Sequence, residues 1–262
     1  MPELPDVEAA RRYLARHGEG RRILRVVVPD AGIVRNAGPR AVAAMLRGRP
    51  IARPERIGKW LLCWTDGPGL LLHFGMTGEL RSSTEEPARH RWDRLILGLD
   101  DGTEIRYRNM RRLGGVWLAP SRSAADTIVG HLGPDALEVE GDVLRERLRR
   151  RKGGVKAALL DQSFLAGVGN LLADEILWRA RLHPRHRVEA LDRAERERLV
   201  RAVRSVVRAW VDRYDDVPKL RSWLIGVRDE PEATCPRCGT PLERVTAGGR
   251  TSRFCPSCQP AT

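Results

Sequence analysis

The chain has almost no lysine. Only Lys59, Lys152, Lys156 and Lys219 carry an ammonium among 47 Lys and Arg residues. Such an arginine bias can follow genome composition, so arginine richness alone assigns no function. The sequence also lacks any apolar run of about 18 residues, which excludes a helical membrane span. Its opening, MPELPDVEAARRYLARHGEG, is charged throughout and has no apolar centre like that of a secretory signal. An intracellular, cytoplasmic protein is expected. Cysteine is scarce, with five residues. In a reducing compartment these read as metal ligands rather than disulfides. No internal repeat is present.

What is there is a chain of 262 residues, 42% hydrophobic and 31% charged. That length accommodates two modest domains and a small appendage, with enough apolar residues for real cores. The formal net charge is +13. A charge of that size calls for an anionic partner: nucleic acid first, an anionic membrane surface second, with simple solubilisation as the bland alternative.

Residues 3–17 read as an amphipathic helix with Pro5 in its first turn and Gly18 as its stop. Val7, Ala10, Tyr13 and Leu14 share one face. From about 21 to 118 short apolar or alternating runs dominate: ILRVVV, KWLLCW, LLLHFGM, RLILGL, EIRYR and GGVWL. Asp66-Gly67-Pro68-Gly69 and Asp101-Gly102 supply turns. One helix, roughly Arg40 to Arg47, interrupts the strands. A looser connection follows over 119–141. Helices are then expected at 142–151, 154–163, 170–181, 191–213 and 218–225. The predicted division is 1–120, 121–230 and 231–262.

The tail reads Cys235-Pro-Arg-Cys238, sixteen residues, then Cys255-Pro-Ser-Cys258. Two such knuckles can set four thiolates tetrahedrally around one Zn²⁺ per chain. About 30 residues cannot bury a core of their own, so the metal supplies folding energy. A redox CxxC would need a βαβ context that is missing here. Cys63, inside a strand, reads as an ordinary buried thiol. Arg244, Arg250 and Arg253 between the knuckles favour nucleic acid modestly.

Two helical patterns flank Ala166-Gly167-Val168-Gly169-Asn170. Glycine permits positive φ and close backbone approach, and Asn170 is a good N-cap. Such a turn either offers free N–H groups to a phosphate or is a plain helical hairpin. At the N-terminus, removal of Met1 would leave Pro2 with a secondary amine. A neutral amine can attack a sugar C1′ and expel a base. Glu3 beside it can donate a proton, or simply be an acidic first-turn residue favoured by the helix dipole. Read singly, neither residue demands catalysis.

Taken in order, these pieces resemble the formamidopyrimidine-DNA glycosylase / endonuclease VIII family. They are Met-Pro-Glu-Leu-Pro-Asp-Val-Glu at 1–8, Gly58-Lys59 and LLLHFGMTGELR at 70–81. Arg111-Arg112-Leu113-Gly114, Gly167-Val168-Gly169-Asn170 and the four-cysteine finger with Arg250 follow. The resemblance spans nearly the whole chain. It implies an α+β fold: an N-terminal β-sandwich with flanking helices, a helical domain with a helix–two-turn–helix, and a zinc finger. Damaged double-stranded DNA would lie across a basic cleft, bound by a monomer associated with the nucleoid. The activity implied is that of a glycosylase with lyase action by β/δ elimination.

The resemblance further implies that Pro2 is the nucleophile, Glu3 the acid, and Lys59 a contact to the phosphate flanking the lesion. Lys59 would otherwise be a solvent-facing strand lysine. Glu175 would position the N-terminus, and Asn170 and Arg250 would hold phosphates. A base that is acted on must leave the stack, and the void needs filling. Met76, Arg111 and Leu113 match the void-filling positions. Leu113 stands where the family usually has an aromatic, Asp6 replaces a Glu, and Trp92 stands near where a second histidine often follows His90. Residues 212–238 lack the Gly-Gly-Ser/Thr loop that covers oxidised purines. The opening is purine-type and the missing loop pyrimidine-type, so both lesion classes stay open. Two competitors stand beside this reading. One is a non-catalytic zinc-ribbon DNA binder; the other is an RNA-associated ribbon protein, which would prefer A-form or single-stranded RNA.

Overall fold

The computed structural model describes residues 2–261. They divide into two compact units, residues 6–131 with Pro2, and residues 132–261 with Glu3–Pro5. No helix among the described residues is long and apolar enough to cross a membrane.

The first unit is built from eight strands and three helices. Helix α1 (Leu4–Gly18) begins the chain, and α2 (Pro39–Leu46) follows strand β1 (Ile23–Val27). Strands β2 (Glu55–Ile57), β3 (Trp60–Trp64), β4 (Gly69–His73) and β8 (Gly115–Ala119) form one antiparallel sheet in the order β2-β3-β4-β8. Strands β5 (Gly78–Ser82), β6 (Asp93–Leu99) and β7 (Glu104–Asn109) join β1 in a second sheet, ordered β1-β6-β7-β5. Alternation places the side chains. Leu61, Cys63, Leu70 and Leu72 from one sheet meet Leu80, Leu95, Leu97, Ile105 and Tyr107 from the other. This is the core of a sandwich, edged by Val7 and Leu14 of α1.

The run WLLCW is apolar at every position because both of its faces are covered. Leu62, Trp64 and Leu71 point away from the sandwich and pack on Ala125 of a helix α3 (Arg122–Val129). That helix falls inside the stretch expected to be a loose connection. Ser121 caps it by accepting from Ala124 N, and Gly130, at φ 73°, ends it.

The second unit is helical: α4 (Gly141–Arg150), α5 (Val155–Leu160), α6 (Asn170–Ala180) and α7 (Arg193–Asp212). They share one apolar core that also takes in Leu4. A capping box starts α7, with Asp192 and Glu195 exchanging side-chain and backbone bonds. The helix expected at 218–225 is absent; a short 3-10 turn at Val217–Lys219 and successive turns replace it. The unit ends in a hairpin of β9 (Glu243–Ala247) and β10 (Arg250–Phe254).

Candidate active site and nucleic-acid interface

The glycine turn before α6 is built around Glu3. The Glu3 side chain is buried, at 2% exposure. Its carboxylate accepts from the N–H groups of Gly169 (3.0 Å), Leu171 (2.8 Å) and Leu172 (3.0 Å). These belong to the unsatisfied N–H groups that open any helix, and the dipole there favours a negative charge. Three donors hold the carboxylate in one place. The first-turn role weighed for Glu3 in its own helix is thus realised at a different helix.

Both glycines are required by this packing. A Cβ on Gly169 would fall inside the Glu3 side chain, and one on Gly167 inside Leu4. Gly167 also sits at φ 103° and accepts from Leu4 N at 3.0 Å. Gln162 stitches the turn from behind. Its Nε2 donates to Leu160 and Val168 carbonyls, and its Oε1 accepts from Gly167 N. Of the two readings left open for the turn, the one with N–H groups free for a phosphate does not hold for these three, which serve Glu3. Asn170 is not the N-cap either; Gly169 holds that place and Asn170 is the first helical residue.

Asn170 instead faces the hairpin. Its Nδ2 donates to Thr251 O at 3.2 Å, next to the exposed Arg250. Its Oδ1 is buried with no hydrogen-bond partner among the described residues. Glu175 lies one turn further along α6, fully buried. It accepts from Arg179 Nε (3.0 Å) and Ile225 N (3.1 Å), so it ties α6 to the segment after α7. Burial pushes its carboxyl above the usual range, against the pull of Arg179. Pro2, next to Glu3 in the chain, is half-buried.

The four cysteine sulfurs all lie within 4.8 Å of one another. Three of their separations are 3.5 Å (Cys238–Cys255 and Cys238–Cys258) and 3.9 Å (Cys235–Cys258). Tetrahedral Zn–S bonds of about 2.3 Å require sulfurs roughly 3.8 Å apart. The donor set fits Zn²⁺. Cys63 is the fifth thiol, alone in the sandwich core, and burial pushes it up to about 12.

In the first unit, Lys59 sits half-buried on the β2–β3 turn, after Gly58 at φ 56°. Buried Arg56 pins that turn, donating to Gly58 O (3.0 Å) and to Glu8 of α1 (3.3 Å). His73, which the sequence reading did not single out, pairs with Trp60 across β3 and β4. Burial and then the Lys59 charge push its imidazole down, favouring the neutral form.

Two neighbouring connections in this unit carry the void-filling candidates. Met76 is 41% exposed on the β4–β5 turn; Leu113 is 55% exposed on the β7–β8 loop beside exposed Arg111. Met110, on the same loop, is a further exposed apolar side chain at 42%. Gly75 and Gly114 let the two backbones touch, since a Cβ on Gly75 would strike Gly114 N and Leu113. The structure thus groups Met76, Arg111 and Leu113 in one unit with Lys59. It groups Glu3, Asn170, Glu175, Arg250 and the cysteines in the other.

Comparison with known proteins matches three segments of the chain. Residues 1–116 match the formamidopyrimidine-DNA glycosylase N-terminal domain, 132–218 the H2TH domain of the same proteins, and 234–261 the zinc finger found in FPG and IleRS. The formamidopyrimidine-DNA glycosylase of Symbiobacterium thermophilum is 39% identical, covering 99% of this chain and 90% of its own. That of a Nocardioides species is 38% identical over 100% and 95%. Among solved structures, Lactococcus lactis Fpg with DNA containing an abasic site has a TM-score of 0.88 at 26% identity. The same enzyme with DNA containing Fapy-dG gives the same values. Both cover 99% of this chain and 100% of the other.

Proposed function

The chain belongs to the formamidopyrimidine-DNA glycosylase family and is an enzyme of that kind, and from that premise we propose how its residues work. It excises oxidised bases from double-stranded DNA and cleaves the strand at the abasic site left behind. The nucleophile is the amine of Pro2, freed by removal of Met1. The observation that carries this reading is the anchoring of Glu3 by three backbone N–H groups. A residue held that firmly fixes its neighbour, and positioning of a nucleophile is worth several orders of magnitude in rate.

The lone pair of the neutral Pro2 nitrogen adds to C1′ as the glycosidic bond breaks, and the base leaves with that electron pair and takes up a proton. Loss of the amine proton and opening of the C1′–O4′ bond, with O4′ protonated, give an iminium. Glu3, next to Pro2 in the chain, passes the proton: its carboxylate takes up the amine proton and hands it to O4′. The iminium acidifies the C2′ hydrogens; proton loss expels the 3′-phosphate, and a second elimination expels the 5′-phosphate. Water then hydrolyses the imine and returns Pro2.

Lys59, Asn170 and Arg250 take phosphates, and Met76, Arg111 and Leu113 fill the void left by the extruded base. The chain acts as a monomer. One Zn²⁺ on Cys235, Cys238, Cys255 and Cys258 holds the hairpin that presents Arg250. Glu175 acts on the segment after α7 through Ile225 N, and on the N-terminus only through α6, whose first turn grips Glu3.

The test is borohydride reduction during incubation with an abasic-site duplex, followed by mass spectrometry of the adduct. A sugar adduct on the Pro2 nitrogen is expected. An adduct on Lys59, or none at all in protein shown to lack Met1, would overturn the Pro2 assignment.

A further inference from the structure

We propose that Asn109 is the positioning residue of the wedge. Its side-chain amide locks the turn carrying Met76 and the loop carrying Arg111 and Leu113 into one rigid edge. The proposal rests on the reading of those three residues as void-filling.

Asn109 is the last residue of β7 and is fully buried. A buried amide must use both its ends, because an unmet donor or acceptor is costly. Here three of its four side-chain bonds go to the two connections or the residue that leads into one of them, and the fourth goes to Tyr107 of its own strand. The Oδ1 accepts from Thr77 Oγ1 (3.3 Å) on the Met76 turn and from Arg112 N (2.9 Å) on the loop. The Nδ2 donates to Phe74 O (3.3 Å), just before the turn, and to Tyr107 Oη (2.7 Å). Thr77 Oγ1 completes the circuit by accepting from Arg111 N at 3.1 Å.

One side chain therefore touches both segments, and one hydroxyl relays it to the residue that carries a wedge guanidinium. Arg112 sits at φ 53°, a left-handed conformation that arginine adopts only under constraint. The constraint is visible on both sides of it. Its N–H goes to Asn109, and its carbonyl accepts from Arg35 Nη2 at 2.8 Å. That bend, held from beneath by buried Asn109, leaves Arg111 and Leu113 exposed on either side of Arg112. Met110 joins them, so the edge presents three apolar side chains, Met76, Met110 and Leu113, and one guanidinium.

Rigidity matters more here than it would with an aromatic wedge. Met and Leu have no planar face to stack on a base, and Met has three rotatable bonds. What they can do is occupy volume, and that requires the backbone beneath them to be placed in advance. A wedge ordered during folding does not have to be ordered during base extrusion, so the entropy cost is removed from the binding step.

The experiment compares two rates in the full-length protein. The first is wedge insertion, followed by stopped-flow fluorescence of 2-aminopurine placed beside the damaged nucleotide in a duplex. The second is imine trapping on a single-stranded abasic oligonucleotide, which offers no void to fill. In Asn109→Leu and in Thr77→Val the ratio of the first to the second should fall about tenfold, as expected for loss of a hydrogen-bonded anchor. A role limited to overall stability would lower both rates together and leave the ratio unchanged, which overturns the proposal. Thr77→Val alters a half-buried, near-isosteric position and carries the test if Asn109→Leu does not fold. Met76→Ala and Leu113→Ala separate the two levels. If they lower the ratio and the anchor variants do not, Asn109 is not the positioning residue. If they too leave it unchanged, the void-filling reading itself falls.

Discussion

A glycine with no special φ is the most exacting residue of the turn that holds Glu3. Gly169 has φ −119°, which any residue can adopt, so its identity is not a backbone requirement. It is a requirement of space, because the Glu3 carboxyl lies where a Cβ would be. Gly169→Ala must push the carboxylate off its three N–H donors or break the first turn of α6. Base excision should fall by roughly ten- to a hundredfold, the worth of one to two charge-assisted bonds. Gly38→Ala is the control, since nothing lies within 4 Å of its Cβ. Single-turnover excision rates decide the matter; equal rates for the two variants would remove the steric argument for Glu3. The sequence announces that the turn needs glycine. It does not announce that the reason lies 166 residues away, on Glu3.

Elements were legible in proportion to how much of their pattern is local. Six of the eight sandwich strands, α2, α4, α6 and α7 follow from period and turn residues, and the finger from cysteine spacing; β2 and β5, largely half-buried, do not stand out as apolar runs. Helix α3 was missed because its demand is written elsewhere, in the second apolar face of β3 and β4 at Leu62, Trp64 and Leu71. Residues 218–225 misled in the opposite direction. Leu220, Trp223 and Leu224 have helical spacing, but Trp223 N and Gly226 N close tight turns on Leu220 O and Trp223 O. Gly226 lies too close to Leu220 O for any side chain. The site shows the same limit: Asn109, His73 and Gln162 act through cross-strand or cross-turn bonds that no spacing encodes.

The finger is the element with least support of its own. Its apolar cluster sets Cys235, Cys255, Leu242 and Cys258 against Trp178 and Leu224, too little to order some 30 residues without a metal. Cys235→Ser is expected to abolish bound zinc, measured by mass spectrometry under native conditions, and to weaken DNA binding. Far-UV circular dichroism should keep most of its helical signal, because the apolar core shared by α4–α7 does not include the knuckles, which meet α6 at Trp178. Zinc retained at one per chain would count against the four-thiolate assignment.

For the whole molecule the deciding quantity is charge, and the structure shows how much of it is already spent. Buried or half-buried arginines are neutralised at home: Arg56 by Glu8, Arg106 by Glu104, Arg108 by Asp93 and Glu86, Arg228 by Asp174. Several of these acids serve more than one base, Glu8 taking Arg11 and Arg12 as well and Asp174 also buried Lys156, so not all of the net charge of +13 is free to meet a duplex. Only the part that faces a duplex releases counterions. With about 6–10 phosphates neutralised, the logarithm of the association constant should fall against log salt with a slope of roughly −5 to −9. Fluorescence anisotropy on an undamaged duplex across a salt series measures that slope without interference from catalysis. A slope near −2 would confine DNA contact to the finger and the start of α6. It would leave Lys59, in the first unit, without the phosphate contact proposed for it. A slope in the expected range fits phosphate contacts from residues of both units. In that case removing the exposed charge of Arg250 alone should make the slope shallower by only about one.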